Sequence, residues 1–130
     1  MDGERDLDFW LGEWQAAWDG GAGTNRITLE CDDRVVVERF SAPADGFEGT
    51  SISVWDAGAG RWRQAWADSQ GNWFHLEGGR RDGAFELVTT DGAKRMRFTD
   101  ITAGSFSWSW QASEDCDWRE LRRIDYTRSG

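Results

Sequence analysis

The stretch Ser105-Phe106-Ser107-Trp108-Ser109-Trp110 alternates strictly between a small hydroxyl residue and an aromatic one. Successive side chains of an extended chain point to opposite faces, so Phe106, Trp108 and Trp110 share one face and the three serines share the other. The segment reads as a strand with one buried face and one that tolerates water. In Arg61–Asp68 the residues Trp62, Gln64, Trp66 and Asp68 share a face, with Arg61, Arg63, Ala65 and Ala67 opposite. There the aromatics travel with polar groups.

Working outward, clusters of Gly, Asp and Asn punctuate short runs rich in Val, Ile, Thr, Phe and Trp, the pattern of antiparallel strands joined by turns. Strands are expected near Glu13–Asp19, Asn25–Cys31, Val35–Ser41, Glu48–Trp55, Arg61–Asp68, Asn72–Gly78, Ala84–Thr90, Lys94–Thr102, Ser105–Gln111 and Asp117–Tyr126. The sequences Asp19-Gly20-Gly21, Asp32-Asp33, Asp82-Gly83 and Asp91-Gly92 suit the positive backbone dihedrals of hairpin turns. Sustained helical periodicity is absent. One helical turn is expected around Leu7 to Leu11, with Asp6 or Asp8 capping its first amides.

About ten consecutive short strands laid flat would leave two exposed edges, and closure into an up-and-down barrel removes that hazard. A barrel of that strand number is wide enough to hold a ligand. The expectation is an all-β chain, residues 1–130 forming a single antiparallel barrel domain with a short N-terminal helical turn.

Ten Trp, seven Phe and one Tyr occur in 130 residues. Each aromatic side chain buries about 150–250 Å², so these residues dominate whatever core or cavity forms. The formal charge is −9, with Lys94 the single lysine. Phosphate binding needs a basic face, so nucleic acid is not an expected partner, and an anionic membrane surface is disfavoured for the same reason. No apolar run approaches the ~18–20 residues of a membrane helix, and Met-Asp-Gly-Glu-Arg-Asp lacks a signal-peptide pattern, which together lead to the expectation of a cytoplasmic protein. Cys31 and Cys116 have no metal-ligand spacing and read as two reduced thiols.

The opening Asp8-Phe9-Trp10-Leu11-Gly12-Glu13-Trp14 resembles the start of bacterial lipocalin-like proteins of the calycin superfamily. Gln64-Ala65-Trp66-Ala67-Asp68, Gly71, Leu76-Glu77-Gly78-Gly79 and Asp82-Gly83 are similar to a two-hairpin signature in those families, and Trp118 through Ile124-Asp125-Tyr126-Thr127-Arg128 resembles their last strand. The resemblance implies a barrel with a pocket. Members of the superfamily bind fatty acids, retinoids or haem, and a few such barrels catalyse cyclisations or isomerisations, so it implies no single reaction. Nitrobindin, distantly similar in fold, holds haem iron through a His near its C-terminal strand, where this chain has none.

His75 is the only histidine, and in Trp73-Phe74-His75-Leu76-Glu77 alternation sets it beside Trp73 and Glu77. If that face looks inward, His75 or Glu77 supplies a proton-transfer group. Gln64 and Asp68 accompany Trp62 and Trp66, as orienting polar groups accompany apolar walls in ligand pockets, although Asp68 also suits a cap on the turn Asp68-Ser69-Gln70-Gly71-Asn72. Asp125, Arg123 and Arg97 are candidates for a polar cluster. Trp10, Trp14 and Trp118 are expected to close one barrel end. Trp66, Trp73, Trp108 and Trp110 are expected to line a pocket and stack on a flat ligand.

The leading expectation is reversible binding of a small apolar or aromatic molecule, without cofactor or metal. The alternatives are a cofactor-free cyclase, isomerase or dehydratase in the same cavity, and a haem protein dependent on His75. Both faces of several strands carry apolar residues, and an extra apolar outer face would fit a homodimer.

Overall fold

The computed structural model describes residues 3 to 129. Its strands are β1 (Gly12–Trp18), β2 (Gly21–Glu30), β3 (Val35–Ala42), β4 (Phe47–Asp56), β5 (Arg61–Asp68), β6 (Trp73–Arg81), β7 (Ala84–Thr89), β8 (Lys94–Thr99), β9 (Ser105–Glu114) and β10 (Asp117–Arg128). Each expected strand is present, with β6, β9 and β10 running a few residues further, β2 starting four residues earlier and β8 ending at Thr99 rather than Thr102. Every strand pairs with its sequence neighbour, and β10 pairs with β1 to close an antiparallel up-and-down barrel.

The turn chemistry acts where it was expected: Gly20, Asp32, Asp33, Asp82, Gly83 and Gly92 all have positive φ. Cys31 and Cys116 lie in hairpin turns as exposed free thiols. No helix among the described residues is long and apolar enough to cross a membrane.

Closure is uneven. β9 and β10 stay registered from Thr127↔Ser105 to Asp117↔Glu114, interrupted by an irregularity between Glu120 and Arg122. β10 and β1 are registered only from Trp14↔Arg128 to Ala17↔Asp125. β1 ends one residue later, at Trp18, so at one end of the barrel the N-terminal half of β10 runs on beyond it, paired only with β9.

The other end is plugged. A 3₁₀ turn at Asp8–Trp10 sits where a helical turn was expected, but neither Asp6 nor Asp8 caps it. Their carboxylates face arginines instead, Asp8 at 2.6 Å from Arg5 and Asp6 at 3.5 Å from Arg80. The turn buries Leu7 and Trp10, and the Trp14 indole donates to the Trp10 carbonyl at 2.8 Å. Beneath them Phe9, Phe98 and Phe106 meet edge to face or tilted, with centroids 5.5–5.8 Å apart, a favoured aromatic geometry. Arg128 lies over the Trp14 ring at 4.2 Å and donates to the carbonyls of Leu11 and Ala103, tying both ends of the chain to the plug. Trp118 does not belong to this group: it lies on the outer face of β10 beneath the Arg95 guanidinium, 4.4 Å from the ring centroid. Its strand reaches the opposite end of the barrel by that point.

Candidate functional site

Above the plug the inward side chains leave a cavity of about 570 Å³, open at the end where the β3–β4 and β5–β6 turns lie. This is within the size of small-molecule sites, roughly 300–1,000 Å³. Trp10 forms part of its floor, and Phe40, Phe74, Trp18, Trp66, Trp108 and Trp110 stand in its walls. Trp108 and Trp110 are parallel with centroids 6.3 Å apart. A third ring between them would need about 3.5 Å on each side, so the pair admits no ligand between its members and acts as one wall. Phe74 packs against Trp110 at 5.2 Å, and the Trp108 indole N–H reaches Met96 Sδ at 3.4 Å.

Trp66 is seated by the backbone opposite. Gly49 on β4 faces the end of β5, and a Cβ added there would lie inside the van der Waals envelope of Trp66 Cζ2 and Cη2. The missing side chain lets the indole lie across β4. Trp66 Nε1 donates to Asp68 Oδ2 at 2.9 Å, while Asp68 Oδ1 accepts from the backbone of Gln70 at 2.9 Å and of Asn72 at 3.2 Å. Asp68 thus caps its turn and orients the cavity wall together. Burial pushes its pKa up, but the hydrogen bonds from Trp66, Asn72 and Gln70 outweigh that and hold it below its ordinary value.

The polar centre of the cavity is Glu38. Its side chain lines the space although the residue is only 8% exposed. Asn25 Nδ2 donates to Oε2 at 2.8 Å and Ser51 Oγ to Oε1 at 2.7 Å. Burial raises the Glu38 pKa, opposed by those two hydrogen bonds. Tyr126, also buried and lining the cavity, has its pKa raised well above the ordinary value by burial first and by neighbouring Glu38 second. The polar row continues as Gln64 Nε2 donating to Ser53 Oγ at 2.9 Å, one step nearer the plug. At the mouth stand Lys94, Arg122, Asp45 and Asp68.

Trp66, Asp68, Trp108 and Trp110 therefore lie on the cavity wall, and Gln64 is buried just below it. The other residues singled out in the sequence face outward. Trp73 is 69% exposed. His75 sits 3.4 Å from the Arg63 guanidinium, and Glu77 pairs with Arg61 at 3.3 Å. Phe74 and Leu76 take the inward face of β6, so neither His75 nor Glu77 can move a proton inside the cavity. Arg97 pairs with Glu86 at 3.1 Å, while Arg123 and Asp125 share Ser107, at 3.0 and 2.9 Å, on the outside of β9 and β10. The three do not form one cluster: Phe98, Ile124 and Tyr126 occupy the inward positions of their strands.

Glu38, Tyr126, Asn25 and Phe74 were not singled out. Tyr126 carried a local signal, because Ile124 and Tyr126 alternate with Arg123, Asp125 and Thr127; Phe74 carried a weaker one, because Trp73 puts a second aromatic on the other face of its strand.

No protein-family model matches the chain, and a search of curated proteins finds no match. What the structure defines is a class, the closed ten-stranded antiparallel barrel with an aromatic-walled cavity. It is consistent with the lipocalin-like resemblance of the sequence motifs.

Proposed function

We propose that the barrel binds a small apolar or aromatic molecule in this cavity. The observation that carries the reading is the concentration of aromatic walls around about 570 Å³ of space open at one end, while the opposite end is closed by packed rings. Apolar walls with a few fixed polar groups are the usual make-up of such sites. A fluorescence titration with the neutral apolar dye N-phenyl-1-naphthylamine tests it. The Trp66→Ala, Trp108→Ala double variant, folded by circular dichroism, is expected to lose at least about tenfold in affinity. Unchanged affinity would refute the reading.

A proton-transfer enzyme is the second reading, favoured by one observation: a carboxyl group, Glu38, faces the cavity while buried beside Tyr126. Such perturbed groups in clefts mark catalytic acids and bases as well as binding anchors. A haem reading has no such support, because the single histidine points away from the cavity. The exposed apolar side chains Ile52, Val54 and Trp73 on the outside of β4 and β6 support self-association as a further proposal, which sedimentation velocity over a concentration series tests.

A further inference from the structure

We propose that the molecule this cavity takes is an amine, an aromatic or apolar body whose protonated nitrogen pairs with the Glu38 carboxylate. The inference rests on the binding reading above and narrows it to a chemical class.

Glu38 projects from β3 into the cavity and is fixed there by one hydrogen bond to each carboxylate oxygen, from Asn25 on β2 and Ser51 on β4. Both donors are neutral. A carboxylate offers about four acceptor positions, so each oxygen keeps one for a further donor. Among the described residues no Lys, Arg or His lies within ion-pair distance of Glu38, although eight other ion pairs are formed. Buried carboxylates are ordinarily paired or neutralised. Here Glu38 lines the cavity, so a molecule bound there can supply the partner.

The surroundings suit a cation. Trp18, Phe40, Trp66 and Tyr126 line the same space, and ring faces attract ammonium groups, most strongly where water is excluded. The chain's net charge of −9 favours the approach of cations over anions. Folding has already removed most of Glu38 from water, so much of the carboxylate's desolvation cost is met before an ammonium arrives. An acidic ligand would place its charge differently: Lys94 and Arg122 stand at the mouth, away from the carboxyl.

Three ligands of nearly equal shape separate these cases by calorimetry at pH 8: tryptamine, its uncharged isostere 3-propylindole, and indole-3-propionate. Tryptamine is expected to bind about tenfold or more tightly than 3-propylindole. In Glu38→Gln, which keeps the volume and a hydrogen-bonding group, the ratio of tryptamine to 3-propylindole affinity is expected to fall to about one. Because pairing needs the ionised carboxylate, tryptamine affinity should fall as pH is lowered through the Glu38 titration and that of 3-propylindole should not. The titratable and charged groups sharing the cavity are Tyr126, Asp45, Asp68, Lys94 and Arg122, and a pH profile that persists in Glu38→Gln would assign the effect to them and overturn the proposal. Should Glu38→Gln not fold, the wild type still tests the proposal: a tryptamine affinity independent of pH, or no tighter than that of 3-propylindole, overturns it. Equal or tighter binding of 3-propylindole, or of indole-3-propionate, overturns the amine but leaves the binding reading standing. Failure of all three, and of N-phenyl-1-naphthylamine, overturns both.

Discussion

Two glycine-to-alanine changes in the same barrel should have opposite signs. At Gly79 in β6 an added Cβ meets nothing within 4 Å, and the backbone does not have positive φ. Glycine inside a strand costs roughly 0.5–1 kcal/mol relative to alanine, so Gly79→Ala is expected to stabilise by about that amount. Gly49→Ala makes the same backbone gain, but its methyl group occupies the space of the Trp66 indole. Overpacking costs typically about 1–3 kcal/mol, which leaves Gly49→Ala destabilised by roughly 0–2.5 kcal/mol. The two variants should therefore differ by about 1–3 kcal/mol, or on the order of 0.5–2 M in urea midpoint for a domain of this size. The displaced indole also loses its hydrogen bond to Asp68, so N-phenyl-1-naphthylamine affinity should fall in Gly49→Ala and hold in Gly79→Ala. Urea unfolding followed by circular dichroism gives the midpoints. Equal midpoints with equal dye affinity would refute the placement of Trp66 against β4.

Glu38→Gln should alter how stability depends on pH. A carboxyl whose pKa is raised in the folded state contributes stability that is full below the unfolded value and is lost as pH rises through the folded one. The variant, having no such group, should gain on the wild type as pH rises across that window and level off above it; parallel stability curves in urea would contradict the burial of an ionisable carboxyl. Arg128→Met removes the hydrogen bonds to Ala103 and Leu11, a longer one to Phe9, and the contact with Trp14 at the plugged end, and is expected to cost about 1.5–4 kcal/mol, lowering Tm by roughly 5–15 °C without changing dye affinity. A matching loss of affinity would show that the plug and the cavity are not independent.

The barrel was legible in the sequence because alternation and turn chemistry are local. The hexapeptide ending at Trp110 states its inward face outright, and Asp82-Gly83 and Asp91-Gly92 mark hairpins by the dihedrals they accept. Strand β5 was equally clear, and the structure sets Trp66 and Asp68 on the cavity wall. Strand β6 was not clear. Trp73 and Phe74 put an aromatic on each face, and the choice between them is made by packing against Trp110 across the barrel, a contact far away in sequence. The Val35-Val36-Val37 run that opens β3 hides its phase in the same way. Glu38 and Arg39 then look alike as charged neighbours, and only registration opposite Ile27 and Ser51, with side-chain hydrogen bonds from Asn25 and Ser51, marks Glu38 as the inward one. Charge was the misleading cue for Arg97, Arg123 and Asp125: their partners, Glu86 and Ser107 among them, lie on the outward faces of the strands.

The indole N–H groups offer the most direct test of where a ligand sits. Ten tryptophans give ten such signals in a proton–nitrogen correlation spectrum, assignable by single Trp→Phe variants. Trp10, Trp18, Trp66, Trp108 and Trp110 line the cavity, whereas Trp14, Trp55, Trp62, Trp73 and Trp118 do not. On titration with N-phenyl-1-naphthylamine, the shifts are expected to be largest in the first group and small in the second. Shifts concentrated on Trp73 or Trp118, with the cavity indoles unmoved, would place binding on the outer surface and contradict the account.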